Sequence, residues 1–171
     1  WISGTPFIAE EFDGPLGSLW ERIEVIGGNF GKFAKIANGE LTIVVPPGNS
    51  WGKTGIMTAA PAFTVDAGMS AKPVRMLVEF NPDQTENVLI GLAESKNPDM
   101  WLLQNVWAAM NRNPGANETQ FALLNTQGEP GINPGSVAPG RPNPRFILLS
   151  VWPGKVELRN LETNESIMAN F

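Results

Sequence analysis

The stretch Phe33-Ala-Lys-Ile-Ala-Asn-Gly-Glu-Leu-Thr-Ile-Val-Val45 shows the pattern that recurs along this chain. The odd-numbered positions from Leu41 to Val45 are apolar, which is typical of a β-strand with one buried face. Asn38-Gly39 precedes this strand, and Asn-Gly tolerates the two consecutive positive φ angles that a type I′ hairpin turn requires. The stretch therefore predicts a β-hairpin.

Similar short segments occur along the rest of the chain, nearly all of them bounded by Gly, Pro, Asn or Asp. The segments are Phe7–Phe12, Glu21–Ile26, Gly55–Ala60, Val74–Phe80, Val88–Ala93, Gln120–Asn125, Arg145–Val151, Val156–Leu161 and Ser166–Phe171. Trp152-Pro153-Gly154-Lys155 places Pro and Gly at the two central positions of a type II turn. So many short strands predict an all-β, two-sheet antiparallel sandwich.

One segment fits two structures. Asn97-Pro98-Asp99 is typical of a helix start, and Leu102 to Met110 would give a helix of about three turns with an apolar face. As a strand, Asn105–Arg112 would instead place Asn105, Trp107 and Asn111 on one face. We expect the strand, preceded by a short helical turn, and both alternatives stay open at this point.

The composition excludes several kinds of chemistry. The chain has 171 residues and no His, Cys or Tyr, which excludes Ser-His-Asp and Cys-His catalysis, disulfides and zinc sites built on thiolate or imidazole. The net charge of -5 and the lack of a Lys/Arg cluster argue against a nucleic-acid partner. The longest apolar runs are far shorter than the roughly 20 residues that cross a bilayer, so we expect no membrane insertion.

The residues that remain are well suited to sugar binding. A pyranose stacks its C–H face on an aromatic ring, and its hydroxyl groups hydrogen-bond to amides and carboxylates. There are six tryptophans, and three of them lie beside turn-forming or amide residues. The candidate ligand-binding residues are therefore Trp51, Trp101, Gln104, Asn105, Trp107 and Asn111. Each tryptophan has a simpler alternative role as a core residue.

Two carboxylates near the first predicted strand form a possible pair. Glu11 and Asp13 are two residues apart, which in a strand would place them on one face, about 6.8 Å apart between Cα atoms. Calcium ligation, solvated surface charge and glycosidase chemistry are the alternatives, and solvated charge is the default for isolated acids.

The chain resembles the concanavalin A-like lectin and glucanase superfamily of jelly-roll sandwiches. The residues that carry the resemblance are the opening Phe7-Ile-Ala-Glu-Glu-Phe-Asp-Gly-Pro-Leu-Gly-Ser-Leu-Trp20, then Asn38-Gly39-Glu40-Leu41, Thr54-Gly55-Ile56 and Val88-Leu-Ile-Gly-Leu-Ala93. The resemblance implies a structural Ca²⁺ near the first strand, with Glu11 and Asp13 as ligands. The superfamily's glucanases carry Glu-x-Asp-x-x-Glu, whereas Leu16 stands at the third acidic position here, which implies a member without hydrolytic activity.

We therefore expect one β-sandwich domain over residues 1–171 that binds a polysaccharide or oligosaccharide on a concave sheet face. The alternatives are a glycosidase or lyase on the same scaffold, and a structural or adhesin domain that packs on another chain. The sequence starts at Trp1 without a charged-then-apolar stretch, so we expect it to be a module of a larger or processed protein. We expect it to be secreted or at the cell surface.

Overall fold

The computed structural model describes residues 8–24, 34–44, 54–63, 72–79, 89–92, 107–115, 118–125, 136–137 and 145–170. These residues contain twelve β-strands and no helix, so the described part of the chain is all-β, as the sequence predicts. None of it forms a helix with the length and hydrophobicity needed to cross a bilayer. The chain divides into two compact units, Trp1–Ala62 and Phe63–Phe171.

The first unit contains two antiparallel pairs. β1 (Trp20–Glu24) pairs with β4 (Thr54–Thr58), and β2 (Ala34–Ala37) pairs with β3 (Glu40–Ile43). The turn between β2 and β3 has the predicted chemistry, because Asn38 and Gly39 have φ angles of 56° and 75°. The predicted Asn-Gly hairpin is confirmed.

The second unit contains two four-stranded antiparallel sheets. The strands are β5 (Val74–Glu79), β6 (Leu89–Leu92), β7 (Trp107–Gly115), β8 (Glu118–Asn125), β9 (Ser136–Val137), β10 (Phe146–Trp152), β11 (Lys155–Asn160) and β12 (Ser166–Asn170). One sheet has the order β12-β11-β10-β5 and the other β6-β7-β8-β9. After β5 the chain thus forms the whole second sheet before β10 returns beside β5. The edge strands β9 and β12 approach within 8 Å between Cα atoms.

The described core lies on the β5–β10–β11–β12 sheet. Ile147, Leu149 and Val151 alternate along β10, and Val156 and Leu158 lie on the same face of β11 through the pairs Val151↔Val156 and Leu149↔Leu158. These five residues are all buried. We call this side of the sheet the core face, since its aliphatic side chains provide the hydrophobic stabilisation of the sheet.

The opposite side of this sheet carries most of its charges, and we call it the charged face. Its members, given by register, are Arg75, Leu77, Glu79, Phe146, Leu148, Ser150, Trp152, Lys155, Glu157, Arg159, Ser166, Met168 and Asn170. Central positions such as Ser150 are buried, whereas Leu77 and Met168 at the two edge strands are about half exposed. The β10–β11 turn that ends this face has Gly154 at φ 73°, as the predicted Pro-Gly turn requires.

Two sequence predictions need correction. Residues 8–12 of the predicted strand Phe7–Phe12 are irregular, and Phe12 has a left-handed φ of 54°. The five prolines and four glycines of Gly128–Pro144 predict a long surface loop, whereas Ser136–Val137 within it form the two-residue strand β9. Both differences depend on strand pairing and side-chain contacts, which the local sequence pattern does not predict.

Candidate functional site

Two residues of the predicted binding set, Trp107 and Asn111, lie on β7. Over residues 107–112 the expected strand is confirmed, because Trp107–Gly115 pairs with β6 and β8 and is not helical, whereas the predicted helical turn and residues 97–106 lie outside the described residues. Trp107 and Asn111 are four residues apart and therefore occupy one face of the sheet, about 13 Å apart along the strand. The Pro at position 114 falls within the irregularity between Arg112 and Gly115, where a strand tolerates proline.

The register adds a further amide to this face. Asn125, the last residue of β8, is the direct cross-strand partner of Trp107. Directly opposed residues of an antiparallel pair have Cβ atoms about 5 Å apart. One indole position and two amide positions, Trp107, Asn125 and Asn111, thus share one face.

The remaining positions on this face are uncharged. They are Ile90, Leu92, Ala109, Thr119, Phe121, Leu123 and Val137. The two charged residues of the described strands of this sheet, Arg112 and Glu118, fall at positions of the opposite face. A mostly apolar surface with a few amides is typical of small-molecule sites, and it is also typical of a buried sandwich face.

Four predicted binding residues, Trp51, Trp101, Gln104 and Asn105, lie outside the described residues. Their proposed positions at the rim and on the strand before Trp107 stay predictions.

Two other tryptophans have described side chains, and each contacts a charged group. The indole Nε1 of Trp20 donates a hydrogen bond of 2.7 Å to Glu10 Oε2. The Lys155 ammonium lies over the Trp152 ring, 4.9 Å from its centroid. Both indoles are half-buried, so neither is a bare ring available for stacking on both faces.

Glu11 and Asp13 lie on an exposed segment next to the Asn-Gly turn. A Cβ atom placed on Gly39 would lie 3.5 Å from the Glu11 carbonyl oxygen and 3.9 Å from Asp13 Oδ1. The left-handed Phe12 between the two acids means that they are not one-face neighbours on a strand. The strand spacing on which the predicted carboxylate pair depended is therefore wrong.

The fit of this segment to calcium is incomplete. Ca²⁺ takes six to eight oxygen ligands, whereas this segment offers two exposed carboxylates and a nearby carbonyl. No group of three acidic side chains capable of holding a metal occurs among the residues that the structure describes. Calcium ligation by Glu11 and Asp13 therefore stays a prediction.

Two residues of interest were not identified from the sequence. The position of Asn125 could have been predicted from hairpin register. If the predicted strands Asn105–Arg112 and Gln120–Asn125 pair around a turn near residue 116, position 107 lies opposite position 125. Glu10 had no such signal. Its Oε1 accepts the Phe12 amide at 3.0 Å while its Oε2 accepts the Trp20 indole, and this double contact depends on the folded path of residues 10–20.

Comparison of the chain with known protein families, with curated proteins and with solved structures finds no match.

Proposed function

We propose that this protein binds a polysaccharide or oligosaccharide without cleaving it, through the face of the β6–β7–β8–β9 sheet that carries Trp107. The observation that supports this most is the β7–β8 register, which puts Asn125 directly opposite Trp107 and leaves Asn111 on the same face. We further propose that the sheets belong to a jelly-roll sandwich of the concanavalin A-like type, secreted or displayed at the cell surface.

The chemistry of these three positions suits a sugar. An indole ring offers a flat, weakly hydrated surface to the C–H face of a pyranose, and the two amides can each donate to and accept from hydroxyl groups. Stacking would supply most of the affinity and the amides would supply selectivity. A shallow site of this kind gives dissociation constants from micromolar to millimolar, about 4 to 8 kcal/mol of binding free energy.

A role in binding rather than hydrolysis is supported by the residue inventory. The chain contains no histidine, cysteine or tyrosine, and Leu16 replaces the third acid of the glucanase pattern. The irregular backbone at Phe12 also removes the strand geometry that would hold Glu11 and Asp13 as a catalytic pair.

The test separates a ligand site from a buried face. We would titrate the protein with a panel of soluble glycans, following tryptophan emission, and repeat the titration with Trp107→Phe, Asn111→Ala and Asn125→Ala. Gln120→Ala is the matched control, because Gln120 lies on β8 at a position of the opposite face. We expect the two Asn variants to weaken binding by about 1 kcal/mol each, roughly fivefold, while the control binds normally.

Four results would count against the proposal. Flat traces for every glycan would remove carbohydrate binding. A Trp107→Ala variant that loses about 3–5 kcal/mol of folding stability, with no glycan response in the parent, would identify the face as core. Release of reducing ends from a polysaccharide panel would instead favour the enzyme alternative, and stable oligomers without a glycan response would favour the structural one.

A further inference from the structure

Three cations lie at one end of the β5–β10–β11–β12 sheet, Arg75 and Lys155 on the charged face and Lys72 just before β5, and none of them pairs with a described carboxylate. The described ion pairs of this sheet join Arg145 to Glu79 at 2.7 Å and Arg159 to Glu157 at 2.6 Å. Lys72, Arg75 and Lys155 make no ion pair within the part of the chain that the structure describes. Lys72 and Arg75 are exposed, and Lys155 is half-buried.

Register brings Arg75 and Lys155 to the same end of the charged face, beside the β10–β11 turn. Arg75 pairs with Ser150 on β10, and Lys155 pairs with Trp152, two residues further along the same strand. Arg75 and Lys155 are thus two strands apart, about 10 Å across the sheet, and offset by about 7 Å along it. Lys72 precedes β5 at the same end.

Two further side chains complete this end of the face. Lys155 holds its ammonium over the Trp152 ring, 4.9 Å from the centroid, and Asn170, directly opposite Lys155 on β12, is exposed. We call Lys72, Arg75, Trp152, Lys155 and Asn170 the cationic corner. The corner therefore combines positive charge, an indole and an amide.

The described acids of this sheet do not neutralise the corner. Glu157 is two residues from Lys155 on the same face, but its Oε1 accepts hydrogen bonds from Arg159 at 2.6 and 3.2 Å. Glu79 pairs with Arg145 at the opposite end of β5. Glu162 also lies at that opposite end, where its Oε2 accepts the Arg145 amide. A positive corner thus lies at one end of a face in a protein whose net charge is -5.

We propose that the cationic corner binds the carboxylate or sulfate groups of an acidic oligosaccharide. Charge complementarity selects an anion, while the indole and the amide select a sugar that carries it. Three cations are too few to follow a phosphate backbone, which argues for saccharide over nucleic acid. This site lies on a different sheet from Trp107 and does not rest on the carbohydrate site proposed above.

The experiment compares matched probes. We would titrate the full chain with an oligogalacturonate hexamer, a sulfated galactan hexamer and a neutral β-glucan hexamer. Each titration is made at about 0.01 M and about 1 M salt, between which the Debye length falls from ~30 Å to ~3 Å. We expect the acidic probes to bind at low salt, to be released at high salt and to exceed the neutral probe. The tighter acidic probe identifies the preferred anion.

Charge-removing variants locate the site. Lys72→Gln, Arg75→Gln and Lys155→Gln should each raise the dissociation constant by ~2- to 5-fold, the range for exposed charge contacts. Lys35→Gln is the control, because Lys35 is an exposed lysine on β2 and its loss changes the net charge equally. Arg75→Gln also leaves the contact between Lys155 and Trp152 in place. Circular dichroism and thermal melting verify that each variant is folded.

Several results would overturn the proposal. The proposal fails if neither acidic probe binds at millimolar concentration, or if Lys35→Gln weakens binding as much as the variants of the cationic corner do. It also fails if oligo-dT or anionic phosphatidylserine vesicles bind more tightly than the acidic probes through the same residues. If Trp107→Ala abolishes binding of the acidic probes, they bind at the β7 face and the cationic corner is not their site. If only acidic probes bind and Trp107→Ala changes nothing, the corner is supported and the β7 site fails.

Discussion

Replacing Glu10 should weaken the segment that carries Glu11 and Asp13. The two carboxylate oxygens of Glu10 accept the Phe12 amide at 3.0 Å and the Trp20 indole at 2.7 Å, and both contacts are partly buried. Buried hydrogen bonds to a charged acceptor contribute about 1.5–3 kcal/mol each, and because these two are partly open to water we take about 1 kcal/mol for each. Glu10→Ala removes the acceptor of both donors, so we expect the free energy of unfolding to fall by about 2 kcal/mol.

Glu10→Gln keeps one acceptor oxygen and should lose about half as much, ~1 kcal/mol. Urea unfolding gives the global effect, and hydrogen exchange at the Phe12 amide and the Trp20 indole gives the local one. A loss of 2 kcal/mol corresponds to roughly 30-fold faster exchange at these two groups in the Ala variant. Glu40→Ala is the control, since Glu40 is exposed in the same unit and should change stability by less than about 0.5 kcal/mol.

The reasoning is refuted if Glu10→Ala matches Glu40→Ala in stability and leaves exchange at Phe12 and Trp20 unchanged. That result would mean that the left-handed backbone at Phe12 is held by something other than the Glu10 carboxylate.

Three further predictions concern stability. Gly39→Ala should lower the free energy of unfolding by about 1–2 kcal/mol, because φ at Gly39 is 75°, a left-handed conformation that a Cβ atom disfavours, while the Glu11 carbonyl oxygen at 3.5 Å would be in ordinary contact with it. Gly17→Ala, with open space around it, should be nearly neutral, and equal melting temperatures for the two would contradict this. Leu149→Ala should lower the free energy of unfolding, measured in denaturant, by about 2–5 kcal/mol because Leu149 is fully buried. If Leu77→Ala lowers it by the same amount, the assignment of the core face is refuted. Asn160→Ala should lower the free energy of unfolding by about 1–3 kcal/mol, because Asn160 Oδ1 accepts hydrogen bonds from the Glu162 and Thr163 amides. Asn160→Asp keeps this acceptor and should recover most of the lost stability in the same assay.

The strands themselves were predictable from local pattern. Alternation predicted β3, β5 and β11, and the turn chemistry of Asn38-Gly39 and of Pro153-Gly154 predicted the hairpins around them. These features depend on residues within a few positions of one another, which is the range over which periodicity and turn preference act.

Features that depend on distant contacts were not predictable in the same way. Phe12 adopts a left-handed φ beside a glutamate that also binds Trp20, ten residues from Glu10. The continuous burial of Ile147 to Val151 on both faces of β10 hides the alternation that would separate the core face from the charged face. The strand β9 has only two residues, too few for any period to show.

The most direct test of the carbohydrate proposal concerns the Trp107 indole itself. Two-dimensional ¹H–¹⁵N spectra, with the Trp107 indole signal assigned by its loss in Trp107→Phe, would be recorded during titration with the glycan panel. We predict that one glycan class shifts this signal in a saturable manner, together with the side-chain amide signals of Asn111 and Asn125. A Trp107 signal that stays fixed with every glycan, and that is protected from exchange with solvent in the free protein, would contradict the proposal.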